Sequence, residues 1–321
     1  MWIFMQGLLV GLSLIHISVG ANTLPFVSES RIINGSEVSW ENTRYQVSVR
    51  YKERDELEFG KGHTCGGSLV APNLVLTAAH CVWDDGNKVY RNASDFVIVM
   101  GNVDRTVELN SLKLDVREIA PSSTFDPATF RDDIAIMVLN EPVPDSYTRA
   151  TLIELNENPN IEEGTLCLVS GWGITEDGEL AQHLRALEAP ILNRTRCSEN
   201  YGSSIIQDGM MCAGYFEGMR DSCTADSGGP LMCDNRLVGI VSFGTGCALP
   251  KYPGVYTNVA KYIEWFRSSN ESIQLRYHMH NTTNGTGTHS LNTATSFGYN
   301  ASFISLMILV LSIFSKLMSL F

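Results

Sequence analysis

The 321-residue sequence has little positive charge: 23 lysines and arginines stand against 35 aspartates and glutamates, a formal net charge of −12. Such a chain repels a phosphate backbone, and no basic stripe interleaved with aromatics reverses this locally, so nucleic acid is excluded as a partner. No Cys-x-x-Cys pair occurs, which removes the usual zinc and redox signatures. No repeat period appears. What is present is a 44% hydrophobic, 18% charged composition, enough to bury a full core. The eight cysteines, at 65, 81, 167, 197, 212, 223, 233 and 247, are even in number and fit disulfides in an oxidising compartment.

The two ends agree with that compartment. Residues 1–21 hold a short apolar run, GLLVGLSLIHISVG, closing on Gly20 and Ala21, the form of a signal peptide without the usual basic start. Asn-x-Ser/Thr sequons begin at Asn34, Asn92, Asn193, Asn270, Asn281, Asn284 and Asn300, as expected of a glycosylated surface. Residues 271–302 read as a polar stalk, unfolded from about Asn281, and 303–321 as an apolar tail. Small residues near Asn292–Ala294, a polar spacer and that tail form the layout of a glycosylphosphatidylinositol attachment signal. A transmembrane helix is the alternative, weakened by Lys316 inside the tail and the absence of basic residues after it. Either way the tail predicts a membrane partner and a cell-surface location.

Between the ends, short runs such as RYQVSVRY, DFVIVMG, DIAIMVL, TLCLVSGWG and RLVGIVSFG are rich in Val, Ile and aromatics and separated by Gly, Pro and Asn. They predict an all-β domain of many short strands. EPVPDS at 141–146 divides them into two similar sets. Val259, Tyr262, Ile263 and Phe266 recur at helical spacing and predict one late helix.

Three motifs carry chemistry. TAAHC places His80, DDIAI places Asp133 and DSGGP places Ser227. A hydroxyl nucleophile needs a base, and that base needs a carboxylate to hold its tautomer; His80 and Asp133 supply these in the order His, Asp, Ser. With RIINGSE at 31–37, CGGSLV at 65–70, SGWG at 170–173, DSCTADSGGP, GIVSFGTGC and PGVYTNV, the region from Ile32 to about Ser268 resembles the chymotrypsin-like, trypsin-type serine proteases. That resemblance implies two six-stranded antiparallel barrels with a C-terminal helix over residues 32–270. It also implies Asp133, which directly precedes the Ile, rather than Asp132, as the orienting acid. Sequence alone leaves 105 pairings of eight cysteines open. The resemblance implies Cys65–Cys81, Cys167–Cys233, Cys197–Cys212 and Cys223–Cys247.

It further implies that Asp221 forms the floor of a pocket for a substrate Arg or Lys, with Ser242, Gly244 and Gly254 beside it and Phe243 replacing a rim tryptophan. Cleavage after Arg31, at the end of a propeptide over 22–31, would release an Ile32 ammonium to pair with Asp226. An activating protease, peptide substrates and protein inhibitors are the partners this implies. The insertion KERDELEFGK, 52–61, reads as an enlarged, solvated loop, and near 102–112, where the family's calcium loop would lie, GNVDRTVELNS lacks the expected acidic spacing. No metal or cofactor is expected. One residue departs from the pattern. Ala225 and Ser227 would supply the oxyanion-hole N–H groups, and the first position is ordinarily glycine. Either the loop keeps its shape, with the alanine methyl narrowing the leaving-group side, or the peptide flips and one donor is lost, leaving a low-activity binding module. The intact triad, pocket and activation motif favour the first.

Overall fold

The structure, a computed structural model, describes residues 35–284 apart from positions 176, 203, 219 and 220, with backbone only for 280–284. The signal peptide, propeptide, Arg31, Ile32, Asn34, Asn300 and the apolar tail lie outside the described residues.

Of the described strands ahead of the Pro-containing divider, six build one barrel: β1 (Gln46–Tyr51), β2 (His63–Ala71), β3 (Leu74–Thr77), β4 (Phe96–Met100), β5 (Leu112–Pro121) and β6 (Ala135–Leu139). They close into an antiparallel barrel in the order β1-β2-β3-β6-β5-β4. Closure explains their composition. Val47, Val49, Leu76, Ile98, Ile136 and Val138 fill the barrel or its outer contacts with no measurable exposure, and β-branched side chains suit a pleated surface buried on both sides.

The second set comprises β7 (Leu166–Gly171), β8 (Arg185–Pro190), β9 (Met210–Ala213), β10 (Pro230–Cys233), β11 (Arg236–Phe243) and β12 (Gly254–Asn258). Here the sheet follows the path β8-β7-β10-β11-β12-β9 without a continuous closing ladder. β8 and β9 meet at a single bridge, Ile191 with Ala213, and two flanking bonds, from Gly214 N–H to Pro190 and from Leu192 N–H to Cys212. The short strand Ser36–Glu37 pairs with β8 as well. The second set thus lacks the continuous ladder that closes the first barrel, and β8 and β9 are joined at this contact. Leu192 and Asn193 leave the ladder there to start α2 (Arg194–Tyr201), whose first N–H groups Asn193 caps.

The two sets touch through glycines. Gly66 N–H donates to the Ser227 carbonyl at 2.8 Å, and a Cβ on Gly66 would lie 2.8 Å from the Gly229 Cα. All four disulfides pair as the resemblance implied, and no cysteine is free. The last helix, α3, runs Ile263–Asn284, beyond the apolar positions that announced it and into the stretch read as unfolded. A compact unit ends at Glu271, and the described part of the next unit, from Ser272, is the remainder of this helix. Among the described residues no helix is long and apolar enough to cross a membrane.

Candidate active site

Strand pairing brings the first two site residues together. Thr77 at the end of β3 pairs with Ala135 at the start of β6, so His80, in the turn just after β3, meets Asp133, just before β6. His80 Nδ1 lies 2.7 Å from Asp133 Oδ2, and the His80 backbone N–H donates to Oδ1 at 2.9 Å. Ser242, at the end of β11, donates its hydroxyl to the same Oδ2 at 2.6 Å. A carboxylate held this way accepts from Nδ1–H and leaves Nε2 as the basic nitrogen. The neighbouring Asp132 is occupied elsewhere, accepting from the Tyr262 hydroxyl at 2.9 Å. Sequence reasoning grouped Ser242 with the substrate pocket; its hydroxyl is spent on Asp133.

Ser227 enters from the second sheet. It precedes β10, and Gly228 N–H donates to the Val241 carbonyl at 2.8 Å, fixing the loop against β11. Gly228 has φ +76°, and a Cβ there would fall 2.1 Å from the Thr77 hydroxyl, so the turn that presents Ser227 requires glycine. His80 and Ser227 line one cavity of about 300 Å³ with Asp221, Ser242, Gly244 and Gly254.

Asp221 is 4% exposed. Burial raises its carboxyl to about 7, with a further push from Asp226, against the pull of the Ala248 and Ser222 N–H groups. Such a carboxylate is poorly satisfied by the protein and well suited to an incoming cation. Side chains at the glycine positions would close the cavity: a Cβ on Gly254 would lie 3.1 Å from Asp221 Oδ1. Asp226 is also buried, its two oxygens accepting from Gly173 N–H at 2.8 Å and Cys223 N–H at 2.9 Å. Burial raises it to about 6 despite those bonds.

Ala225 answers the question its sequence position posed. Asp226 N–H donates to the Cys223 carbonyl at 3.0 Å, closing a four-residue turn, and Ala225, third in that turn, has φ +71°. Positive φ at the third residue alone is the type II turn, which ordinarily takes glycine. The alanine thus adopts the glycine conformation and bears its strain, roughly 1–2 kcal/mol for an L-residue. The Ala225 and Ser227 N–H groups donate to no acceptor among the described residues, leaving two donors beside the nucleophile.

Sequence reasoning missed Phe130. Its ring meets His80 edge-on at 5.3 Å and Phe243 at 5.4 Å, forming an aromatic wall of the cavity. No motif marks it; three residues before Asp133 it reads as one more loop aromatic. The only group of metal-capable side chains among the described residues is Cys65, His80 and Cys81. Both sulfurs are bound in a disulfide, so the thiolates a metal needs are absent. Asn92 and Asn193 are exposed and Asn270 is partly so; for Asn281 and Asn284 only the helical backbone is described.

Comparison with known proteins agrees with this geometry. The trypsin family profile matches residues 32–266. The chain belongs to the trypsin family. It is 38% identical over 248 residues to trypsin eta of Drosophila melanogaster, covering 76% of this chain and 90% of that one. Against the vitellin-degrading protease of Bombyx mori it is 34% identical over 274 residues, 85% of this chain and 97% of the other. Human trypsin-3 matches at 32% over 254 residues, 78% and 77% of the two chains. The family places hydrolase chemistry on this fold.

Proposed function

We propose that the protein is a serine endopeptidase, made as a zymogen, that cleaves peptide bonds after Arg or Lys. The observation that carries the reading is one cavity holding His80, oriented by Asp133, together with Ser227 and the buried, cation-seeking Asp221. In this mechanism His80 Nε2 takes the Ser227 proton as Oγ attacks the scissile carbonyl, the Ala225 and Ser227 N–H groups hold the resulting oxyanion, and the imidazolium returns its proton to the leaving amine. Water then repeats the sequence on the acyl-enzyme and frees the acid. Its similarity to two trypsins and a vitellin-degrading protease supports a polypeptide substrate.

Activation follows from the same reading: cleavage after Arg31 frees the Ile32 ammonium to pair with Asp226. The secretory route, sequon glycosylation and a lipid-anchored tail complete the proposal, and release from cells by phosphatidylinositol-specific phospholipase C tests the anchor against a transmembrane helix. The test of the activity is hydrolysis of short peptides after Arg or Lys by chain cleaved at Arg31, and its loss in Ser227→Ala. Equal turnover by that variant would refute the mechanism; no turnover by the natural chain would favour a binding module that has kept the fold.

A further inference from the structure

The insertion at 52–61 is solvated along most of its length, but it is a helical turn anchored by one buried carboxylate rather than a plain loop. Residues Lys52–Leu57 form helix α1, and its Asp55 is 3% exposed. Asp55 Oδ1 accepts from Arg50 Nη1 and from Gly60 N–H, both at 2.8 Å, and Oδ2 accepts from Lys113 Nζ at 2.8 Å. Arg50, itself 1% exposed, spends its other nitrogens on the Arg105 carbonyl, at 2.9 Å, and on the Ser48 hydroxyl oxygen, at 2.8 Å. Ser48 Oγ lies 2.8 Å from His63 Nδ1, and His63 Nε2 lies 3.2 Å from the carbonyl oxygen of Ala225. The insertion helix and the oxyanion turn are the two ends of one file of hydrogen bonds.

The directions of the bonds are set from both ends of the file. A guanidinium only donates, so Ser48 Oγ accepts from Nε; at the far end a carbonyl only accepts, so the His63 ring proton belongs on Nε2 and the Ser48 hydroxyl proton is turned toward Nδ1. Nδ1 then accepts, the ring proton sits on Nε2, and Nε2 donates to Ala225. With the proton on Nδ1 instead, an Nε2 lone pair would face the carbonyl oxygen and repel it. A doubly protonated ring is also disfavoured: burial first, then the positive charges of Arg50 and Arg105, push His63 down to about 3.

We propose that Arg50 and Ser48, anchored by Asp55 of the insertion helix, are positioning residues for the oxyanion hole: they support the His63 ring at Nδ1 and hold it where its Nε2–H bonds the Ala225 carbonyl and keeps that residue in its left-handed conformation. Glycine occupies that conformation freely. Alanine does not, and a bond to its carbonyl opposes the relaxation that would turn the Ala225 N–H away from the substrate. The inference rests on the endopeptidase reading for its kinetic consequence but not for its tautomer.

The experiment is a double-mutant cycle on a small arginine ester, with Arg50→Lys and Ser48→Ala each made in the natural chain and in Ala225→Gly. Arg50→Lys keeps the charge beside Asp55 and loses the Nε donor; Ser48→Ala removes one hydroxyl and serves if the first variant fails to fold. Each is expected to lower kcat about tenfold with KM within about twofold when residue 225 is alanine, and to lower it less than about twofold in the Ala225→Gly background. Equal losses in both backgrounds mean a general structural role and overturn the proposal. Nitrogen-15 NMR of His63, recorded on Ser227→Ala protein, needs no activity. It is expected to show the Nε2–H tautomer, with the Nδ1 signal shifted by loss of its hydrogen-bond donor in Ser48→Ala; Nδ1–H in the otherwise natural chain, or an Nδ1 signal unmoved by Ser48→Ala, overturns the proposal even if no ester is hydrolysed.

Discussion

At Ala225 the strain and the chemistry meet in one dihedral angle. Because the alanine already holds φ +71°, glycine there restores no missing donor; it relieves strain and removes a methyl. Ala225→Gly is therefore expected to stabilise the fold by about 1 kcal/mol and to raise kcat/KM on a small arginine ester by less than about tenfold. A larger gain is expected on peptides that extend past the scissile bond, where the methyl crowds. Chemical denaturation and paired specificity constants check both, and a hundredfold gain on the ester would mean that the natural peptide is flipped. Asp221 supplies a pH prediction at the same scale. Its carboxyl sits near 7 in the empty pocket, whereas a bound cation needs it ionised, so cation binding must lower that value and release a proton. Affinity for a small amidine should fall as pH drops through about 7, approaching tenfold per unit below it, and Asp221→Asn should bind weakly at every pH. Titration calorimetry in buffers of different ionisation enthalpy reads the proton directly.

Among the elements, the triad is a consequence of strand ends. The β3–β6 register places His80 on Asp133, and the Gly66–Gly229 approach lets β2 hold the Ser227 carbonyl. Gly66→Ala puts a Cβ against backbone rather than a flexible side chain, so the two sets of strands must separate. The expected result is a loss of about 1–3 kcal/mol in stability, with kcat falling more than KM changes because Ser227 and His80 stand on opposite sides of that seam. Unchanged kcat in a folded variant would show the seam to be pliable. This dependence was legible in part: His80, Asp133, Ser227 and Asp221 each sit in a short motif whose residue types the chemistry dictates. What escaped was the residue that owes its place to tertiary packing. Phe130 carries no local signature. Arg50 and Asp55 carry no local sign of their burial, because charged residues are rarely buried unless paired, and the pairing joins a strand to a helix in a segment whose charge suggested a loop. The way β8 and β9 meet was equally hidden, since strand propensity does not reveal whether two strands share a ladder.

For the whole molecule, the proposed activation would link folding to Asp226. In the uncleaved chain its described partners are backbone N–H groups, and burial raises it to about 6, above the unfolded value near 3.9. A raised carboxyl contributes stability that is fully present below the unfolded value and lost as pH rises through the folded one, so ionising Asp226 costs the uncleaved chain stability between about pH 4 and 6. Asp221 follows the same sign with its folded value near 7, but it is present in both forms and cancels in a comparison of cleaved with uncleaved chain. If cleavage at Arg31 delivers an ammonium to Asp226, the pair removes that cost, and the carboxylate titrates lower. The Tm difference, cleaved minus uncleaved, should then be small at pH 4.5, grow through pH 6, and shrink again once the α-amino group loses its proton above about pH 8. Calorimetry on Ser227→Ala protein, cleaved by an added protease, avoids self-digestion while the three pH values are compared. Asp226→Asn should flatten the profile by removing the titrating partner. A Tm difference independent of pH in the natural sequence would mean that the new terminus does not pair with Asp226, and activation would have to act elsewhere on the turn that carries Ala225 and Ser227.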